Sequence, residues 1–202
     1  MHSLWSFIAG VYSDLIYAGL WNKPPTWLFN QPKKQLQCAY DGIIWGDVSF
    51  SEYERKVILQ AVKDLEYFCN GLIKLEIVFN LDPNDIETIN NDCVLLKVDS
   101  NNPSIQKADG YYQSKVLGLC DYMEAGNRRL YLVHDRLLDY HVYRTTAIHE
   151  LGHFISMWHT PAPSIMHKNN NNNVLYPTYN DAKELADVWL CPIEMLRYFR
   201  LK

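Results

Sequence analysis

Closely spaced cysteines are missing from this chain. Its five cysteines stand singly along 202 residues, so none of the C-x-x-C spacings that build zinc ribbons or thiol redox sites occurs. An odd number is not a complete disulfide framework, although two bridges with one free thiol stay open. The cysteines therefore leave the compartment undetermined. They are Cys38, Cys69, Cys93, Cys120 and Cys191.

Clusters of positive charge and long apolar runs are missing as well. The formal net charge is −4, and no group of lysines and arginines is long enough to indicate a nucleic-acid-binding surface. The apolar residues of segment 1–20 are too interrupted to span a bilayer. We therefore expect neither a nucleic-acid partner nor a transmembrane segment. With 48% hydrophobic and 21% charged residues, the composition is that of an ordinary globular protein.

Residues 1–37 are predicted to be an N-terminal extension. Apolar residues from Leu4 to Gly19 follow helical spacing, which predicts an amphipathic helix. The alternative is a secretory signal or pro-segment. As a signal it would be weak, because Asp14 interrupts the apolar run and His2 stands alone where a basic region is expected. The proline-containing segment 22–34 is typical of a linker. The globular domain is therefore predicted to span residues 38–202.

Apolar patterns in residues 38–202 predict an α+β domain with about five strands. Ser51 and Glu54 form a capping box at the start of a helix, and Asn70-Gly71 marks its end. Strands are predicted at 43–45, 73–79, 93–98, 115–120 and 129–134, with a hairpin turn at 124–127 between the last two. Further helices are predicted at 140–156 and 180–189 and, more briefly, beyond residue 192. Segments 100–110 and 169–173 are predicted to be polar loops.

The stretch from His149 to Thr160 reads H-E-L-G-H-F-I-S-M-W-H-T. Because His149 and His153 are four residues apart, a helix places both imidazoles on one face, a spacing that suits Zn²⁺. Glu150 suits a general base acting on a metal-bound water. His159 is a candidate third ligand, which would complete the set of a catalytic zinc. The alternative is a helix that carries these histidines by accident, and composition predicts a chance H-E-x-x-H in only about one such chain in a hundred.

This motif and the order of elements resemble the catalytic domain of the metzincin zinc peptidases, most closely the matrixin-like branch. In that family the pattern H-E-x-x-H-x-x-G-x-x-H is followed by a methionine in a tight turn. Here Pro163-Ser164-Ile165-Met166 stands where that turn would be. The resemblance implies a twisted mixed sheet with an active-site helix, a backing helix and a C-terminal helix. It also implies that Met166 forms the floor under a zinc ion held by His149, His153 and His159.

The sequence departs from the family where Ser156 occupies the position of the motif's glycine. A continuous helix would put His159 about 9 Å beyond His153 along the axis and about 240° around it, so the chain has to turn just after His153. Glycine makes such a turn cheaply in the left-handed region, whereas serine costs about 1 kcal/mol there. That cost is small against the binding energy of a zinc site, so we expect the turn at Ser156.

A second departure concerns Lys168, which occupies the position of a tyrosine that approaches the metal in the astacin branch. No such phenol is therefore expected here. His167, His134 and His141 lack ligand spacing and are left out of the predicted site.

The activity that the resemblance implies is that of a zinc-dependent endopeptidase with Glu150 as general base. An extended protein or peptide substrate would lie along the edge strand 115–120, and the loop from Thr160 to Tyr176 would form the far wall of the pocket. The resemblance also favours secretion, although residues 1–37 contain no convincing signal peptide.

Three alternatives stay open. In a different zincin the third ligand would be a glutamate on a later helix, for which Glu184 and Glu194 are candidates. The domain could instead be a catalytically inactive binding module that keeps the fold. Cys38 could block the zinc in a latent form, but its neighbours do not match the family's motif, so a structural or free thiol is favoured.

Overall fold

The computed structural model describes residues 40–82, 84, 93–122, 128–168, 174–189 and 191–198. The predicted extension 1–37, Cys38, the hairpin turn 124–127 and the asparagine tract 169–173 lie outside the described residues. The described residues form a mixed five-stranded sheet and four α-helices, which confirms the predicted α+β class.

The strands of the sheet are β1 Tyr40–Asp47, β2 Ile73–Leu81, β3 Cys93–Val98, β4 Gly118–Tyr122 and β5 Arg128–Val133. Their order across the sheet is β2-β1-β3-β5-β4. Four strands are parallel, and β4 pairs antiparallel with β5. The strand predicted at 115–120 therefore lies at an edge, as expected, but it begins three residues later, at Gly118.

The helices are α1 Glu52–Phe68, α2 Pro103–Tyr112, α3 Tyr140–Phe154 and α4 Tyr179–Trp189. The capping box at the start of α1 is confirmed. The Ser51 hydroxyl accepts from the Glu54 N–H at 3.3 Å, and the Glu54 carboxylate accepts from the Ser51 N–H at 2.7 Å. Asp139 caps α3 by accepting from two N–H groups of its first turn. In place of the short helix expected beyond residue 192 there is a single 3₁₀ turn, Ile193–Met195.

The prediction of a polar loop at 100–110 is wrong, because α2 occupies most of that segment. The side chain of Asn102 accepts from the Ser104 N–H at 3.0 Å, and Pro103 is the first helical residue. An N-cap asparagine followed by proline is a strong helix start. Only Ile105 and Ala108 of α2 are buried, so the apolar periodicity that usually reveals a helix is too sparse here.

Helices pack on both faces of the sheet. On one face, α1 and α3 share the main apolar core with strand residues such as Ile44, Leu95 and Leu130. On the other face, Ile105 of α2 belongs to a smaller core with strand residues of β3 and β5. Helix α3 is buried over twelve consecutive residues ending at Phe154, so the motif histidines lie on a firmly packed element.

No helix among the residues described above is both long enough and apolar enough to cross a membrane.

Candidate metal centre

The motif helix α3 ends directly after the second histidine. Ile155 is its C-cap, and Ser156 adopts a left-handed backbone conformation with φ of +73°. The Ser156 N–H donates to the His153 carbonyl and the Met157 N–H donates to the Gly152 carbonyl, both at 2.9 Å. These two bonds are the Schellman arrangement, which closes a helix at a left-handed residue. The predicted turn at Ser156 is confirmed.

Arg128, the first residue of β5, holds this helix end. Its guanidinium donates to the His153 carbonyl at 2.7 Å and to the Ser156 hydroxyl at 2.8 Å, and it lies 5.7 Å from the centre of the Phe154 ring. Hydrogen bonds to a charged group contribute about 1.5–3 kcal/mol each, which outweighs about 1 kcal/mol of backbone strain at a left-handed serine. No local pattern in the sequence reveals this pair, because Arg128 and Ser156 are 28 residues apart.

The turn brings His159 next to the two helix histidines. The Nε2 atom of His149 lies 3.2 Å from Nε2 of His159 and 3.1 Å from Nε2 of His153. The three side chains each offer a nitrogen, and these nitrogens lie within 4.8 Å of one another. The histidines named by the sequence motif therefore form a group that could hold a metal ion.

Backbone carbonyls determine which ring nitrogen of each helix histidine carries no proton. Nδ1 of His149 lies 2.8 Å from the Ile165 carbonyl, and Nδ1 of His153 lies 2.9 Å from the Met157 carbonyl. Because a carbonyl only accepts, both Nδ1 atoms carry protons and both Nε2 atoms keep a lone pair. Two lone pairs that face each other at 3.1 Å repel unless a cation lies between them. A tetrahedral ion with bonds of about 2.0–2.1 Å separates its nitrogens by about 3.3 Å, so the donor set fits a metal.

Desolvation keeps the three imidazoles neutral. Burial lowers the pKa of His149, and it lowers the pKa of His153 to well below its usual value with help from the two neighbouring rings. Desolvation, followed by the charge of His149, also lowers the pKa of His159, although this side chain is partly exposed. Since neutral imidazole is the form that binds metals, the group is competent to bind at neutral pH.

Glu150 contributes a buried carboxylate to the same region. Its side chain is 5% exposed, and Oε2 has no hydrogen-bond partner among the residues that the structure describes. Burial raises the pKa of Glu150 to about 8. A buried polar group without a partner costs a few kcal/mol of stability, and such costs are typical of functional sites.

Gly118, at the start of β4, makes room for this carboxylate. A Cβ atom on Gly118 would lie 2.6 Å from Oε1 and 2.7 Å from Cγ of Glu150, closer than van der Waals contact allows. Sequence analysis missed this role, because a glycine inside a strand pattern indicates only that something approaches the backbone closely, not what does so.

Met166 lies under the motif helix. Its side chain is fully buried, and a Cβ atom on Gly152 would overlap the Met166 sulfur. The glycine between the two motif histidines is therefore required by packing against the methionine. The role of Met166 as a floor under a metal ion stays a prediction.

Asp181, a fully buried residue in the first turn of α4, holds the turn that carries Met166. Its carboxylate accepts from the N–H groups of Ile165 and Met166, both at 3.1 Å, and from the Ser164 hydroxyl at 2.5 Å. It also accepts from the Thr178 N–H at 2.6 Å. Sequence analysis missed this residue, but the T-x-x-D spacing of Thr178 and Asp181 is a helix-capping pattern that could have revealed it.

The histidines and Glu150 line a cleft of about 240 Å³. The segment that leads into β4 forms one side of this cleft, and Lys168, from the predicted far-wall loop, also lines it. The remaining lining residues are Tyr112, Ser114 to Cys120 and Thr146.

The alternative ligands do not join the histidine group. Within the described parts of the chain, His149, His153 and His159 are the one set of at least three histidine, cysteine, aspartate or glutamate side chains close enough to share an ion. Glu184 and Glu194 are not members of it, nor are His134, His141 and His167.

No protein-family model and no curated protein matches this chain. The likeness to the metzincins therefore rests on the motif, the methionine turn and the order of elements.

Proposed function

We propose that this protein is a zinc-dependent endopeptidase of the metzincin type. One observation carries the proposal: three neutral imidazoles converge in the cleft that also contains the buried Glu150, whose Oε2 has no hydrogen-bond partner among the described residues. Three protein ligands that leave a fourth position open are typical of a catalytic zinc, whereas structural zinc sites are closed by four ligands.

The ion would be held by the Nε2 atoms of His149 and His153 together with the imidazole of His159. When bound, zinc supplies a Lewis acid that polarises a carbonyl and lowers the pKa of water towards neutrality. The carbonyls of Ile165 and Met157 keep the two helix rings oriented through their Nδ1 atoms. Such partners of ligating histidines typically change metal affinity about 10- to 100-fold when they are lost.

Glu150 is the proposed general base. Its carboxylate accepts a proton from the water that attacks the peptide carbonyl and then donates this proton to the leaving amine. Oε2 has no hydrogen-bond partner in the described structure, and the charge of a bound zinc would lower the pKa of Glu150 from its metal-free value of about 8, so that the ionised carboxylate can take that proton. Gly118 leaves the space in which the carboxylate lies.

Strand β4 offers an edge to which an extended peptide can add. Residues of an antiparallel pair face their partner strand alternately. The Leu117 carbonyl accepts from the Val133 N–H at 3.0 Å, so Leu117 faces β5, and by alternation Leu119 does too. Gly118 and Cys120 therefore direct their peptide groups away from β5, where a substrate main chain can pair with them.

An ion pair closes this edge before Gly118. The Val116 N–H donates to the Asp109 carboxylate, and the Val116 carbonyl accepts from Arg136, both at 2.7 Å. Arg136 and Asp109 are joined by two further bonds of 2.9 and 2.6 Å. Since the Val116 peptide groups are already engaged, we propose that substrate pairing begins at Gly118.

Metal analysis of the full chain, together with a mixed peptide library, tests the proposal. We expect about one zinc per chain and cleavage that a chelator stops. Glu150→Gln should keep its zinc and lose at least about 100-fold in cleavage. His159→Ala should weaken zinc retention at least about 10-fold, while the matched variant Glu184→Gln keeps it.

Two outcomes would overturn parts of the proposal. Hydrolysis by zinc-loaded Glu150→Gln would remove Glu150 from its role. A zinc-loaded wild type that binds peptides without cleaving any of them would indicate the binding module instead of the enzyme.

A further inference from the structure

The two walls of the cleft carry positive charge and contain no acidic residue. We call residues 112–120 the edge wall, because they lead into β4, and residues 159–168 the turn wall, because they include the methionine turn. The one charged residue of the edge wall, histidines aside, is Lys115, and that of the turn wall is Lys168. The whole chain has a net charge of −4, so the positive cleft is a local feature of opposite sign.

Both lysines are exposed and line the cleft. The charge of Lys168 is close enough to contribute to the lowered pKa of His159, after desolvation and the charges of His149 and His167. Lys168 therefore lies near the third histidine. Among the described residues that line the cleft, Glu150 is the one acid, and it is buried.

Lys115 contributes a positive charge to the edge wall. It lies close enough to Asp109 to contribute to the lowered pKa of that carboxyl, which the hydrogen bond from Arg136 lowers most. The Asp109 carboxylate already accepts two bonds from Arg136 and one from the Val116 N–H. Asp109 is thus already hydrogen-bonded to Arg136, on which the charge of Asp135 also acts, and the contribution of Lys115 to this cluster is a charge effect without a hydrogen bond.

We infer that the cleft selects peptides that carry an aspartate or glutamate side chain next to the bond at the metal centre. This inference rests on the proposed function. A peptide that pairs with β4 from Gly118 onwards lies in the cleft that Lys115 lines before the start of that edge and that Lys168 lines on the other wall. A carboxylate side chain gains from both ammonium groups, whereas a lysine or arginine side chain is repelled by both.

The size of the preference follows from the exposure of the two lysines. Solvent-exposed ion pairs change an equilibrium by about 1.5- to 5-fold each, so the two lysines together favour glutamate over glutamine by roughly 2- to 25-fold. The preference should shrink in salt, because the screening length falls from about 10 Å at 0.1 M to about 3 Å at 1 M.

Paired fluorescent peptides that differ only by glutamate or glutamine at positions flanking the scissile bond test this inference. Their affinity is measured by anisotropy on zinc-loaded Glu150→Gln, so that the readout does not depend on cleavage, and their kcat/KM is measured on the wild type. Lys115→Gln and Lys168→Gln should each lower the preference for glutamate, and the double variant should abolish it. Lys74→Gln, on strand β2 at the opposite edge of the sheet, is the matched control and should leave it unchanged.

Tighter binding of the glutamate peptides that disappears in the lysine variants supports the inference, even if the wild type cleaves nothing and the proposed function fails. Equal affinity for glutamate and glutamine peptides overturns it, and so does a preference that survives in the double variant. Failure of every peptide to bind also overturns it, because the cleft would then not be a peptide site.

Discussion

The close approach of Gly118 to Glu150 gives the sharpest test of the proposed base. In Gly118→Ala the new methyl group would lie 2.6 Å from Oε1, 2.7 Å from Cγ and 2.9 Å from Cδ of Glu150. All three nearest atoms belong to one flexible side chain, so the carboxylate can move while the backbone stays. To bring the closest contact even to 3.0 Å, the carboxylate has to retreat by about 0.4 Å.

This displacement should impair catalysis without affecting the metal. A misplacement of about 1 Å costs about 100-fold in rate, and a general base contributes about 10²- to 10⁴-fold in total. For the smaller movement here we expect kcat to fall about 10- to 100-fold. Zinc content should stay at the wild-type level, because these three contacts involve no histidine. Steady-state peptide cleavage and metal analysis of the same preparation measure the two quantities.

Gly110→Ala is the matched control. Gly110 lies in α2, and a Cβ atom there would have no neighbour within 4 Å. Alanine in a helix interior is favoured over glycine by about 1 kcal/mol, so this variant should be slightly more stable and equally active. If zinc-loaded Gly118→Ala kept the wild-type kcat, Glu150 would not act as general base from its present position against Gly118. If it lost zinc instead, the loss of activity would not report on the base.

Three further predictions concern the supports of the site. Burial raises the pKa of Glu150 from 4.5 to about 8 in the metal-free protein. Between these two pH values the folded state keeps a proton that the unfolded state releases, so the free energy of unfolding falls as the pH rises. Urea unfolding of metal-free protein should therefore show Glu150→Gln gaining stability relative to the wild type between about pH 4.5 and 8. Arg128→Met should destabilise the protein by about 2–4 kcal/mol. Ser156→Gly should leave stability nearly unchanged alone but raise it by about 1 kcal/mol in the Arg128→Met background. A double-mutant cycle without such coupling would contradict the hydrogen bond between Arg128 and Ser156 as a source of stability. Asp181→Asn should lower the free energy of unfolding in urea by about 2–3 kcal/mol and the zinc affinity about 10-fold. The reason is that each carboxylate oxygen accepts at least two hydrogen bonds, whereas an amide nitrogen accepts none. Unchanged values would mean that Asp181 does not hold the turn.

Features determined by neighbours in sequence could be predicted. The capping box starts α1 as expected, since Ser51 and Glu54 contact each other three residues apart. The alternation in β2 matches its buried and exposed sides. The spacing of His149 and His153 places both on one side of α3, and the helix geometry alone required the turn at Ser156. In each case the physical cause acts within one or two turns of the chain.

Features that depend on distant residues could not be predicted. Gly118 is needed because Glu150 lies against it, and 32 residues separate the two. Arg128 reaches the end of α3 from another strand. Helix α2 was missed for a different reason: it buries only Ile105 and Ala108, so its sequence has too little apolar periodicity to indicate a helix.

The support of Ser156 by Arg128 changes how the third histidine is positioned. A glycine at this point would close α3 by its own conformational freedom, and the path to His159 would depend on local backbone alone. With serine, the left-handed conformation is stabilised by a guanidinium that also binds the His153 carbonyl. The guanidinium belongs to the first residue of β5, the strand that pairs with the edge strand β4. Arg128 thereby joins the end of α3, which positions the histidines, to the strand pair β4–β5, which offers the proposed substrate edge. A displacement of β5 would shift both. Loss of Arg128 should therefore weaken zinc retention as well as stability, whereas loss of a more deeply buried cation, Arg144, which binds Asp64 of α1, should affect stability alone.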